Sequence, residues 1–207
     1  MFRRPAMMSK RPNPSALPDM LTLDALTSRV STACQRLLEP GPDLAQLERM
    51  LTVAMHVPDH GRLAPWRFIV VRDSARQPLA DFLAARARQR EPDATDAALN
   101  KVPTRFAQSP CVVVVVAQIQ AGHKVPESEQ WLSGGAVCLS LLQAADALGF
   151  GAQWLTGWAA YDPPVLAHLG LAAHERVLGF IHIGRIEEPA PERTRPALNE
   201  RLLMWQP

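Results

Sequence analysis

Residues 111–119 read CVVVVVAQI, and this run of β-branched residues is the strongest indication of the fold. Its first seven side chains are all apolar, with no polar residue at alternate positions. That pattern predicts a strand covered on both faces, as at the centre of a sheet. Residues 66–72 (WRFIVVR) and 176–185 (RVLGFIHIGR) have a similar composition, and a further short strand is predicted at residues 153–156. We therefore predict one sheet to which all four segments contribute strands.

Helices are predicted around these strands, because apolar residues recur there at helical spacing. Residues 131–148 are apolar nearly all round, which indicates a buried helix that the following glycines end. Residues 91–100 are polar, so a loop or a loose helix is expected there. The other helices are predicted at 23–38, at 44–55 with Asp43 as N-cap, at 79–90 and at 163–169, and a proline-rich arm with a short amphipathic helix at 189–206.

The chain has 207 residues, the size of one domain or slightly more. The order of its elements predicts an α+β or α/β fold in which helices cover both faces of one sheet. Residues 1–18 contain basic residues and prolines but no apolar stretch like that of a secretory signal. We therefore expect a disordered basic tail at 1–18 and a single domain at 19–207.

Charge and cysteine content exclude several classes of protein. The net charge of +2 is too small to indicate a nucleic-acid partner or an anionic membrane. No apolar run reaches the roughly 18 residues that a membrane span requires. Cys34, Cys111 and Cys138 form no CxxC pair and are odd in number. Free thiols in a reducing compartment are the simplest interpretation, which predicts a cytoplasmic protein.

Arg29-Val30-Ser31 is the first segment that could carry chemistry. A guanidinium fork and a hydroxyl can bind a phosphate, although these residues also suit a solvated helix face. The loop after the second predicted helix is another candidate. His56, Asp59 and His60 could be zinc ligands, line a polar cofactor pocket or belong to an ordinary capping loop. Pro58 weighs against zinc, because it breaks the helix that would bring the two histidines together.

Two further segments flank the predicted buried helix. Residues 123–131 lead into it and could simply cap it. Residues 133–136 contain a glycine pair that costs roughly 1 kcal/mol per glycine in a helix, so another helix, a second subunit or a flat ligand should approach closely. Residues 149–157 have small side chains beside a strand, which suits a planar ligand or a tight helix-to-strand turn. The sequence has no GxSxG, Walker, HExxH or GxGxxG motif.

Together these segments resemble the FMN-dependent nitroreductase family, above all its compact bacterial branch of NAD(P)H nitroreductases. The matches follow the family's order over about residues 23–185. They are RVS at 29–31, EPGP at 39–42, VPDH at 57–60, PWRFIVVR at 65–72, HKVP with EQ at 123–130 and ALGFGAQW at 147–154. Four residues, 32–35, separate RVS from Arg36-Leu37 where the branch usually has two. This insertion predicts a bulge or a register shift in the first helix.

The resemblance implies an α+β fold with a central, mostly antiparallel sheet, helices on both of its faces, and an intertwined homodimer with two FMN molecules at its interface. It implies that FMN is bound by Arg29, Val30, Ser31, His56, His60, Trp154, Leu155 and Thr156. Close relatives tend to have arginine in place of His56. A nicotinamide contact is implied at the end of the buried helix, at Ala144, Ala145, Asp146, Ala147, Leu148 and Gly149.

The activity implied is electron transfer from NADH or NADPH, through FMN, to a nitro compound, a quinone or a similar flat acceptor. The two substrates would react in turn, in a ping-pong cycle, and no side chain need be a nucleophile. One alternative is a flavin-holding or flavin-sensing dimer with little turnover. Another is a metal-dependent hydrolase that uses His56, Asp59 and His60.

Overall fold

A four-stranded antiparallel sheet lies at the centre of the protein. The computed structural model describes residues 23–207, so the basic tail expected at 1–18 lies outside the described residues. The strands are β1 (Trp66–Arg72), β2 (Cys111–Gln118), β3 (Gly151–Leu155) and β4 (Glu175–Gly184), and they lie side by side in the order β1-β2-β4-β3. All of their pairings are antiparallel, which confirms the sheet that the resemblance implied.

The valine run forms the central strand, as predicted. The side chains from Val112 to Val116 are completely buried, because helices cover both faces of β2. Along its whole length β2 pairs with β1, and its other edge pairs with β4. A bulge between Val115 and Val116 shifts the register with β4 at the level of Gly179. The buried run thus fixes the middle of the sheet, and the outer strands are β1 and β3.

Six α-helices surround the sheet within residues 23–207. They are α1 (Leu23–Ser28), α2 (Leu44–Ala54), α3 (Arg76–Arg90), α4 (Asp96–Gln108), α5 (Glu127–Ala147) and α6 (Pro163–His168). Helices α2 and α5 pack on Val113 and Val115, on what we call the α5 face. Helices α3, α4 and α6 pack on the opposite side of β2, the α6 face. Asp43 caps α2 as predicted, since its carboxylate accepts the Gln46 N–H at 2.8 Å.

The glycine pair in α5 marks a close approach on one side of the helix only. A Cβ added at Gly134 would clash with the side chain of Leu178 on β4, so this glycine lets α5 lie directly on the sheet. Gly135 has no such neighbour within 4 Å. Gly149 follows the end of α5 with a φ of 78°, the left-handed conformation expected of a glycine that ends a helix.

The prediction of a long first helix at 23–38 is wrong. Helix α1 ends at Ser28, residues 29–33 are not helical, and only one 3-10 turn follows at Cys34–Arg36. The backbone instead bonds to the sheet: the Thr32 N–H donates to the Ala152 carbonyl at 2.9 Å, and Leu38 forms a β-bridge with Arg185. The segment around the insertion is therefore an extended connection alongside β3 and not a bulged helix.

Other boundaries differ from the predictions as well. The polar stretch expected to be a loop or a loose helix contains the start of α4, which Thr95 caps by accepting the Ala98 N–H. Pro103 inside α4 obscured its helical pattern. The final helix predicted within 189–206 is reduced to one 3-10 turn at Leu198–Glu200. No helix in the described part of the chain is long and apolar enough to cross a membrane.

Candidate functional site

Arg29, Val30 and Ser31 lie in the extended segment beside the start of β3. The hydrogen bond between Thr32 and Ala152 holds this segment against the strand. Arg29 and Val30 line a small cleft together with Asp146, near the end of α5, and neighbouring apolar side chains. Arg29 forms no hydrogen bond or ion pair with any residue between 23 and 207, so its guanidinium is available to an anionic ligand.

Trp154, Leu155 and Thr156 lie at the opposite end of the same edge strand and just beyond it. The Ala152 carbonyl points away from β4, and backbone groups alternate along a strand, so the peptide groups of Trp154 also point outward. The Trp154 indole covers Gly179 and donates a hydrogen bond from Nε1 to the Leu178 carbonyl at 3.0 Å. The residue remains 38% exposed. This end of β3 thus presents a flat side chain and unpaired backbone groups.

The two histidines of the predicted site lie on the other side of α5, in the loop after α2. His56 is exposed and its side chain makes no hydrogen bond to another described residue. His60 Nδ1 lies 2.6 Å from the Glu129 carboxylate, in the first turn of α5. The loop is tied to α5 by the Ser133 hydroxyl, which donates to the Pro58 carbonyl at 2.7 Å.

A cavity of about 310 Å³ lies between this loop and α5. Apolar and polar groups both contribute to its wall. The lining residues are Pro58, His60, Glu129, Leu132, Ser133 and Ala136.

The predicted residues therefore form two groups at opposite ends of α5. Arg29 shares a cleft with Asp146, whereas His60 contacts Glu129. At 1.5 Å per residue, these two positions on α5 lie about 25 Å apart. Within one chain, the candidate phosphate contact and the loop histidine are not brought together.

The predicted nicotinamide segment forms the last turn of α5 and the residues after it. Ala144 and Ala145 are buried in the core of the α5 face, which leaves them little surface for a ligand. Asp146, Ala147 and Gly149 are exposed, and Asp146 lines the cleft that contains Arg29. Only the exposed members of this segment can therefore touch a bound molecule.

The geometry gives no support to the metal-dependent hydrolase. Between residues 23 and 207, no three histidine, cysteine, aspartate or glutamate side chains come together as a metal site. Asp59 does not point to a shared ion, because its carboxylate accepts the N–H groups of Leu63 and Ala64 at 3.2 and 2.8 Å. It is a loop-capping residue, one of the alternatives that the sequence left open.

Glu129 is the site residue that sequence reasoning missed. The sequence assigns it to a possible helix cap and to the EQ match but gives it no binding role, and it is 69 positions from His60, so no local spacing links the two. Their proximity depends on how α2 and α5 pack. Only the folded chain reveals it.

A larger cavity, of about 560 Å³, lies on the α6 face and contains none of the predicted site residues. At its base, hydrogen bonds from Arg67 lower the pKa of Glu175 to about 2. Nearby, hydrogen bonds from Arg86 and Arg90 lower the pKa of the buried Asp162 carboxyl. On this face Arg67 links β1 to the start of β4, and Arg86 and Arg90 link α3 to the residue that caps α6.

Curated relatives resemble the chain over most of its length. It is 35% identical over 178 residues to "Putative NAD(P)H nitroreductase" from Haemophilus influenzae, covering 86% of this chain and 94% of the relative. It is 33% identical over 165 residues to "Putative NAD(P)H nitroreductase YdjA" from Escherichia coli (strain K12), covering 80% and 88% of the two chains.

Solved structures share the fold at lower identity. A nitroreductase-like family protein from Bacillus cereus superposes with a TM-score of 0.74 at 19% identity, over 96% of this chain and 98% of the other. A nitroreductase from Desulfovibrio desulfuricans, solved in complex with FMN, superposes with a TM-score of 0.69 at 22% identity, over 95% and 100% of the two chains. These similarities confirm the nitroreductase-like fold.

The sequence model of the nitroreductase family matches residues 29–185. The matched range begins at Arg29, contains every strand of the sheet and includes both ends of α5. Together with relatives above 30% identity over most of the chain, this match confirms the resemblance inferred from the sequence motifs. The chain belongs to the nitroreductase family.

Proposed function

We propose that the protein is an FMN-dependent oxidoreductase that takes electrons from NADH or NADPH and passes them to nitro compounds, quinones or similar flat acceptors. The observation that carries this proposal is the pair of features on strand β3. An unpartnered arginine lies at one end of the strand, and an exposed aromatic ring with outward backbone groups lies at the other. The names of the curated relatives and the FMN in one similar structure support the same cofactors.

The edge of β3 fits FMN in both charge and shape. The Arg29 guanidinium can neutralise the phosphate with paired hydrogen bonds, and the Ser31 hydroxyl adds a further donor. Val30 lies between them in the extended segment. At the other end, the outward peptide groups of Trp154, with the Thr156 hydroxyl, can bond to the polar edge of the flavin ring near Leu155.

FMN, when bound, supplies the hydride chemistry, and the residues of this chain supply binding and orientation. The charge on Arg29 holds the phosphate end, so that the ring is presented at the far end of β3. NAD(P)H and the acceptor would contact the flavin ring one after the other, which is the order of a ping-pong cycle. The exposed residues at the end of α5 and just beyond it, Asp146, Ala147 and Gly149, are available to the nicotinamide substrate.

We also propose that the working unit is a homodimer whose second copy completes each site. The α5 face exposes apolar side chains that a single chain leaves in solvent: Val53, Met55, Leu132 and Leu139 are 44%, 48%, 73% and 45% exposed. Apolar exposure of this kind on neighbouring helices is typical of an interface. Covering α2 and α5 with a second copy would bring its His56 and His60 towards the flavin held by Arg29 and Trp154.

The cysteines support a cytoplasmic location for this dimer. Cys34, Cys111 and Cys138 are free and buried. Burial raises the pKa of Cys138 to about 12 and those of the other two thiols to about 11, so all three stay protonated and unreactive. Free thiols are the ordinary state of cysteine in a reducing compartment.

The absorption spectrum of the purified protein, before and after anaerobic addition of NADH or NADPH, tests the proposed function. Flavin bands that bleach, and that return when a quinone is added, are the expected result. Bands that persist would favour the flavin-holding dimer with little turnover. A protein that shows no flavin bands after incubation with FMN would contradict the proposal.

A further inference from the structure

We infer that Glu129 is a positioning residue that fixes the imidazole of His60 for contact with FMN. The inference rests on the proposed function, in which His60 is a flavin contact. Its basis is the distance of 2.6 Å between His60 Nδ1 and a Glu129 carboxylate oxygen. This is a short, charge-assisted hydrogen bond between two elements that are far apart in sequence.

Both partners are attached to a firmly held backbone. Glu129 lies in the first turn of α5, where the buried Gln130 side chain bonds to the Gln120 N–H at 2.8 Å and to the Val125 carbonyl at 3.1 Å. On the other side, the bond from Ser133 to Pro58 ties the histidine loop to α5. The backbones of the two residues are therefore held in place relative to each other.

Stability does not account for this pair. The side chains of His60 and Glu129 are 62% and 44% exposed. Ion pairs with this much exposure typically contribute between zero and about 1 kcal/mol. The pair does, however, line the cavity between the loop and α5, where a ligand would meet it. Its position thus points to an effect on binding.

The hydrogen bond determines which ring nitrogen faces that ligand. An ionised carboxylate only accepts hydrogen bonds, so His60 Nδ1 must carry the proton that Glu129 accepts. Nε2 is then the polar ring atom left for a bound molecule in the cavity. Fixing the tautomer and the ring orientation in advance is what a carboxylate partner does for a ligand-binding histidine.

Replacement of Glu129 by Ala, with Glu127→Ala as the matched control, tests the inference. Glu127 lies in the same first turn, is exposed, and makes no hydrogen bond to another described residue, so its loss has the same effect on helix charge. The first measurement is the ¹⁵N spectrum of the His60 ring above neutral pH without FMN, with His60→Gln used for assignment. We expect the Nδ1–H tautomer in the wild type and in E127A, and its loss in E129A.

The second measurement is the dissociation constant for FMN, from fluorescence titration. We expect E129A to weaken binding about fivefold to tenfold, as for the loss of one ordinary hydrogen bond. We expect H60Q to do the same, the double variant to be no weaker than H60Q alone, and E129Q, which keeps an acceptor oxygen, to recover part of the loss. An E129A variant that matches E127A in both measurements would overturn the inference. Failure of the wild type to bind FMN would instead refute the proposed function, while the ring spectrum would still test the pairing.

Discussion

The two faces of the sheet differ in their ion pairs and in the apolar side chains that they leave exposed. On the α6 face, Arg67 is bonded to Glu175, and Arg86 and Arg90 share the carboxylate of Asp162. On the α5 face, Arg29 has no partner among the described residues, and large apolar side chains of α2 and α5 remain exposed. We therefore expect the α6 face to stabilise the single chain, and we propose that the α5 face binds the ligand and a second copy.

The largest expected effect is on stability, at Asp162. Its side chain is 1% exposed, bonds to both arginines and caps α6 through the Val165 N–H. Replacement by Ala leaves two cations without their partner, so we expect a loss of about 3 kcal/mol in the free energy of unfolding. Urea unfolding measures it, with the exposed Asp81→Ala as control. A loss below 1 kcal/mol would mean that this pairing is not what holds the α6 face together.

The second effect is on ligand binding, at Arg29. Replacement by Ala removes the proposed phosphate contact, and we expect FMN affinity to fall about 100-fold, with a change in unfolding free energy within about 0.5 kcal/mol. Titration of the apoprotein with FMN measures the affinity. Arg49→Ala, an exposed arginine of α2 without an ion pair, is the control. Equal FMN retention by R29A and R49A would remove the phosphate assignment.

The third effect is the pH dependence of stability, which the ion pair of Glu175 should control. Arg67 lowers the pKa of this carboxyl from 4.5 to about 2, so the stabilisation is present above pH 4.5 and is lost as the pH falls towards 2. We expect the wild type to lose about 2 kcal/mol more than Glu175→Gln between those two pH values. Urea unfolding of both proteins across this window measures it. If the free energies of unfolding of the two proteins fell equally between these pH values, the Glu175 carboxyl would not titrate as described.

The smallest effect is on association, at Leu139. This residue is 45% exposed on α5 and lies outside the cavity next to His60. An Asp there would bury a charge in the proposed interface, so we expect the dimer dissociation constant to rise about tenfold or more. Sedimentation over a range of concentrations measures it. Tyr161→Asp, at a residue that is 69% exposed and lines the α6-face cavity, should leave association unchanged. Weaker association of the Tyr161→Asp variant, with no change in the Leu139→Asp variant, would place the interface on the α6 face.

The sequence predicted those parts of the fold that depend on local patterns. Runs of β-branched residues located β1, β2 and β4, a short strand was predicted close to β3, and Asp43 marked the start of α2. The first helix was wrong because a distant partner, Ala152, competes for the backbone of Thr32. Helix α4 was largely missed because Pro103 interrupts its pattern. Local propensity decides an element only where no long-range hydrogen bond offers an alternative.

The sequence likewise predicted only those parts of the candidate site that depend on local motifs. Arg29-Val30-Ser31 and the residues near Trp154 were recognisable from short motifs, because each group is continuous in sequence. Their positions at the two ends of β3 could not be read from the motifs, since they depend on pairing across the sheet. The role of Glu129 was hidden for the same reason. It is defined by the packing of α2 against α5, which no spacing along the chain encodes.

The hydrogen bond from Thr32 to Ala152 also fixes an order of events during protein synthesis. Residues 29–32 leave the ribosome long before β3 exists, so the extended segment has nothing to dock against until about 120 more residues have been added. The proposed phosphate end of the site can therefore form only when most of the chain is complete. A nascent chain should be unable to capture FMN early, and cofactor loading would belong to the last stage of folding, together with the meeting of two finished chains.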